Sequence, residues 1–220
     1  TLFADPANGQ GSNAVAIGTS AGISTQGDLS ISVGYYAGQI RQGSSSVAIG
    51  VSAAVTDQGT DSVAVGSASG NVSQGNSSVA VGSGAAQTDQ GNRSVSVGPN
   101  AGSANQGESS VAVGDQTGQF NQGLSSVAIG DIAGTSNQAK YSVAIGVQSG
   151  NTDQGTQSLA AGSAAGQINQ GGYAVALGRV AGNLDQGNWA VAVGYQAGNN
   201  TQGESSVAIG QTAGAGADPT

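Results

Sequence analysis

Large apolar and small residues alternate over four positions and then meet a glycine, as in Ser126-Val127-Ala128-Ile129-Gly130, and the phrase returns every sixteen residues. Its closing glycine falls at Gly18, Gly34, Gly50 and onward to Gly210 without an insertion or deletion. A second marker keeps the same step, from Gln10, Gln26 and Gln42 through Gln122 to Gln202, followed by Gly in every case except Gln138-Ala139. Alternation with period two predicts a strand with two unlike faces. Self-similarity at a fixed period predicts an architecture in which each unit contacts its neighbours. The fold class expected is all-β: a parallel β-solenoid of about 13 sixteen-residue coils over residues 10–214. Residues 1–9, with Leu2 and Phe3, are expected to cap the first coil, and 215–220 to form a tail.

The larger residues recur as Val47/Ile49, Val127/Ile129 and Val207/Ile209, with Leu159/Ala161 the weakest instance. Stacked in register about 4.8 Å apart, they are expected to point inward as the structural core. The columns between them, including Ser46, Ala48, Ala112, Ser126 and Ala128, admit no large or charged residue. A solvated face would drift to Lys, Glu, Thr or Asn, so this small face is expected to be an oligomer interface, in preference to the crowded opposite wall of a flat coil. Two medium apolar side chains per coil make a thin core, and association of several chains would bury more surface. The Gln column, with Gln26, Gln42, Gln122 and Gln202, is expected to be structural, either a ladder of stacked amides or a set of partners for corner backbone groups. The glycine after each Gln and the glycine of Ala133-Gly134 fit positive-φ corners, although Ala53-Ala54 and Ala85-Ala86 show that the second corner accepts a side chain.

Composition narrows the function. Forty glycines without a three-residue period exclude collagen, and the regular Val/Ile pairs argue against disorder. Twelve acids against four bases, Arg41, Arg93, Lys140 and Arg179, give a net charge of -8, unsuited to nucleic acid or an anionic membrane. No stretch approaches the roughly 20 apolar residues of a membrane helix. With no His and no Cys, the usual base and soft nucleophile are missing, so no enzyme activity, catalytic residue, metal site or cofactor is expected. Asp57, Asp89, Asp153 and Asp185 precede Gln residues as solvated corners, not as a nonapeptide calcium pattern. The chain contains no Met and no signal-peptide pattern, as expected of a processed product or a piece of a longer protein.

Exposed aromatic rings are the remaining candidates for recognition. Tyr141, Tyr173 and Trp189 share one repeat position and Tyr195 lies one strand along from Trp189, a possible ledge for a sugar or protein, weighed against scattered surface aromatics.

The phrase Ser46-Val47-Ala48-Ile49-Gly50, met again as Ser206-Val207-Ala208-Ile209-Gly210, resembles the head repeat of YadA-like trimeric autotransporter adhesins, and similar repeats occur in fibres of phages and large viruses. The resemblance covers about residues 10–214. It implies a left-handed β-roll, a side-by-side homotrimer, and an extracellular adhesive shaft on a cell surface or virion that contacts a host-surface glycan or protein. The sixteen-residue step and the Gln-Gly element depart from the family's usual repeat of about fourteen residues, and no neck, stalk or anchor follows in this sequence. Two alternatives are an ice-binding solenoid, for which a Thr-x-Thr array is absent, and a purely structural filament.

Overall fold

The computed structural model describes residues 9–215 and contains strands but no helix among them. The expected cap residues Leu2 and Phe3 and most of the expected tail lie outside the described residues. The chain divides into two compact units at Ser110/Val111.

In the first unit, strands Val15–Ile17, Ile31–Val33, Val47–Ile49, Val63–Val65, Val79–Val81 and Val95–Val97 pair in chain order. Every pairing is parallel and shifted by one repeat: Val47 lies opposite Val63, Ala48 opposite Ala64 and Ile49 opposite Val65. The strands ending in Gln, from Ser24–Gln26 to Ala104–Gln106, form a second parallel sheet in which Gln58 pairs with Gln74. The second unit repeats this plan. Its seven Val-type strands run from Val111–Val113 to Val207–Ile209, with Val127 opposite Val143. The sixteen-residue parallel β-solenoid expected from the repeat is therefore the architecture of each unit.

The faces are reversed from the expectation. Ala48, Ala112 and Ala128, together with Ser46 and Ser126, are fully buried inside the coil, and they are not an interface. Val47 and Val127 are only partly buried, while Ile49, Ile129, Val207 and Ile209 are exposed, so none of these six forms the core. The physical reason is the narrowness of the coil. A Gln side chain spans it: Gln138, 1% exposed, donates from Nε2 to the Val127 carbonyl on the other sheet at 2.8 Å. Beside that pillar only small residues fit, Ala or Ser at nearly every coil and Thr at Thr117. A Cβ added at Gly134 would stand 3.1 Å from the Cβ of Ala128, so the interior has no room for a valine there. The core is thus a column of Ala, Ser and Gln, with a single Thr at Thr117, and the large apolar residues are turned out.

Two glycine columns owe their identity to coil-to-coil approach. Gly130 has φ 126°, and a Cβ there would meet the Gly146 carbonyl oxygen at 2.7 Å. Gly123, which follows the Gln, is not at positive φ as the sequence suggested; a Cβ there would lie 2.5 Å from the Ala139 carbonyl carbon of the next coil. That next coil carries the one substitution in this column. Around it the second sheet is interrupted: residues 136–138 form no strand, and Ser136 keeps only isolated bridges to Phe120 and Thr152.

Candidate interaction face and its edges

The Gln side chains bond both to one another and to backbone, but their backbone acceptors are strand carbonyls across the coil and not the corner groups expected. Gln26, Gln42 and Gln202 donate to the carbonyls of Val15, Ile31 and Val191, and Gln122 to that of Val111. Along the column Gln138, Gln154, Gln170, Gln186 and Gln202 form a continuous amide ladder, each Nε2 donating to the next Oε1 at 3.1–3.2 Å. Where the inward Ala is replaced by Ser, the hydroxyl joins in: Ser32 and Ser96 donate to the Oε1 of Gln42 and Gln106. The Ser at the strand entry closes its own turn, Ser126 donating to the Gly123 carbonyl at 2.7 Å.

With the interior filled in this way, the outward residues are left to face solvent. Each unit presents a strip of paired outward side chains, one pair per coil, all Val, Ile or Leu except Ala161, without a charged or polar residue in either column. A strip three residues wide and six or seven rungs tall covers on the order of 300 Å², from about 3.3 Å per residue along a strand and about 4.8 Å between strands. That already reaches the size of the largest apolar patch on an ordinary monomer. The period-two pattern signalled this strip, but not which way it faces.

At the edges of the strip stand the aromatic residues. Tyr141, Tyr173, Trp189 and Tyr195 are all exposed. Tyr173 and Trp189 stack, with ring centroids 5.9 Å apart and planes 9° from parallel, as neighbours one coil apart. This stacking occupies one face of each ring. Tyr141 is separated from that pair by the coil of Gln157 and carries the Lys140 ammonium 5.9 Å from its ring centroid. Tyr195 lies beyond the far end of Val191–Val193, with the Arg179 guanidinium 5.5 Å from its centroid. The four residues do not form one ledge.

The second sheet faces outward with mixed residues, among them Ile40, Thr56, Val72, Thr88 and Ala104, and carries no Thr array. Its corner column holds the acids as solvated groups in an Asn/Asp ladder. Asn137 donates to Asp153 at 2.9 Å and Asn169 to Asp185 at 2.8 Å, while Asp57 pairs with Arg41. Hydrogen bonding by the Arg41 guanidinium holds the Asp57 carboxyl below its ordinary range and raises the pKa of Arg41. No two acids of this column occupy adjacent coils. Arg41, Asp57, Ser73, Asn76 and Asn92 line an open notch of about 360 Å³. No group of three or more His, Cys, Asp or Glu able to hold a metal ion exists among the described residues. No helix among them is long and apolar enough to cross a membrane.

No protein-family model matches the sequence, and no curated protein matches it.

Proposed function

We propose that the protein is a non-catalytic, adhesive shaft of an extracellular fibre, on a cell surface or a virion. In this reading three copies of a left-handed β-roll stand side by side, with the Val/Ile strips turned towards a common axis. A host-surface glycan or protein is contacted from the exposed corners, where the Tyr173–Trp189 pair offers rigid area at low entropy cost. The observation that carries the proposal is the strip itself, uncharged and apolar on every coil, on a repeat whose other surfaces mix polar and apolar residues. In cyclic assemblies such a strip is what becomes buried.

Light scattering on the native chain tests it, with a mass of three chains expected. Val143→Glu, which places a charge on the strip, should reduce the mass to one chain while the β-type circular dichroism persists. A monomeric parent at micromolar concentration would overturn the assembly. Glycan-array or cell-binding assays on Trp189→Ala test recognition, and unchanged binding places it elsewhere. Thermal hysteresis in the parent would instead favour ice binding.

A further inference from the structure

A strip that repeats every coil poses a problem of register. A second copy shifted by one coil, about 4.8 Å, still meets a nearly identical ladder. The two outward columns are not uniform, however, and their departures are coordinated. In the first column, Val15 to Val207, only Ile31 and Leu159 are larger than Val. Each of them shares its rung with a second-column residue smaller than both of its neighbours along the stack. Val33 lies between Ile17 and Ile49, and Ala161 lies between Ile145 and Leu177. No rung holds two residues larger than Val.

Within a single chain this compensation has no cause. Both side chains of a rung point to solvent, which accommodates any combined volume. A second body lying on the strip supplies the cause. Rotation about an axis parallel to the stack keeps heights unchanged and carries one column across to face the other. In such an assembly Leu159 of one copy lies opposite Ala161 of the next, and Ile31 opposite Val33. Shifted by one coil, Leu159 meets Ile145 or Leu177 and overpacks, while Ala161 meets Val143 or Val175 and leaves a void. Both errors are destabilising. The occupant that fits is therefore another copy of this chain, parallel and in register. We infer that the rungs Ile31/Val33 and Leu159/Ala161 are register keys, one in each unit, that fix the axial alignment of identical chains.

The inference rests on the assembly proposed above, and the experiment separates the two. The chain has no cysteine, so introduced thiols report alone. Disulfides join facing sheets in immunoglobulin domains, but fail when Cα atoms stand more than about 7 Å apart. One copy carrying Val127→Cys is co-refolded with a second, differently tagged copy carrying Ile129→Cys, which reports the aligned state. Pairing it with Ile145→Cys reports a slip of one coil. In the native background the aligned product should exceed the slipped product at least tenfold. In a background with Ile31→Val, Val33→Ile, Leu159→Val and Ala161→Ile, both keys are erased and the two products should come within about threefold. An unchanged ratio in an assembled four-substitution variant overturns the keys and leaves the assembly standing. So does an assembled native protein in which the slipped product is already as abundant, or in which no aligned product forms. A monomeric mass removes the assembly and the keys together.

Discussion

The polar pillar is the feature that most directly tests how this fold is held. Gln154 is 1% exposed, donates to the Val143 carbonyl at 2.8 Å and to Gln170 at 3.2 Å, and accepts from Gln138 at 3.1 Å. Gln154→Glu keeps the shape and replaces an amide with a titratable group. Protonated, the new side chain still donates to Val143 and accepts from Gln138, and loses one bond, worth about 1 kcal/mol. Ionised, it is a buried carboxylate facing two acceptors, and burial of this kind raises a glutamate from about 4.3 towards 8 or 9. The native state then holds a proton that the unfolded chain releases, so stability falls as pH rises from about 4.3 to the raised native value, and levels off above it. At about 1.4 kcal/mol per unit, the loss between pH 4 and pH 8 amounts to about 5 kcal/mol. Gln154→Ala lacks this pH dependence and should lose about 3–6 kcal/mol throughout, from a cavity and orphaned amide and carbonyl groups. Urea melts followed by circular dichroism at several pH values, with the parent subtracted at each, measure both. Amide exchange at Val143 detects opening confined to neighbouring coils. A Gln154→Glu variant that tracks the parent at every pH would refute the buried pillar.

Three other outcomes follow from the same geometry. Ala128→Leu enlarges a fully buried position beside the pillar, so it should destabilise the coil itself by about 1–3 kcal/mol or more in chemical melts, whatever the state of association; a lower mass with an unchanged melt would contradict the inward placement. Ala139→Gly should restore the strand missing at 136–138, seen as increased exchange protection of the Gln138 amide, since the Asn137 and Ala139 amides already bond the Phe120 and Gln154 carbonyls, and unchanged protection at Gln138 would show that the Cβ is not the cause of the break. Asp57 contributes stability that is present above the ordinary carboxylate range and is lost as pH falls through its depressed native value. Both Asp57 and Arg41 are largely solvated, so Asp57→Asn should melt close to the parent at physiological salt, and a large drop would show a coupling that their exposure does not suggest.

Much of this was legible in the sequence because the repeat never loses step. The glycine at every sixteenth position and the Gln column fixed the length of the coil, the Val-type strand, its parallel pairing and the register of Val127 on Val143, but the second strand of each coil, which ends at the Gln, was not read from the pattern. Sidedness was not legible from alternation alone. Period two says that two faces differ, and general experience places the larger residues inside. What decides the matter is cross-section, and the invariant Gln held the clue. An amide that must reach the opposite strand's carbonyl leaves space beside it for small residues alone, Ala and Ser with Thr117 the largest. Likewise, shared repeat position put Tyr173 and Trp189 on adjacent coils, but ring orientation, which turns their faces towards each other, required the structure.

The reversed faces alter what the Val/Ile strip means. Each coil passes repeatedly through the left-handed region, at Ser125, Ile132 and Asn137 as well as at glycines, and for a β-branched residue such as Ile132 this costs about 1–2 kcal/mol. An isolated coil would not adopt that path. Bonds running along the stack offset the strain, as from the Val127 amide to the Ser142 carbonyl, Gly130 to Val113, Ile132 to Asp115 and Gly134 to Ser149, at 2.9–3.0 Å. Cohesion therefore comes from axial backbone bonds and the inward Ala, Ser and Gln, and the outward side chains are left largely free of folding constraint. Strand propensity alone does not explain their identity. Thr is β-branched, suits a strand and is soluble, yet it occupies neither outward column at any rung, while it occurs freely elsewhere in the repeat. A surface that the fold does not require to be apolar, and that is apolar on every coil, is the surface expected to be covered by something else.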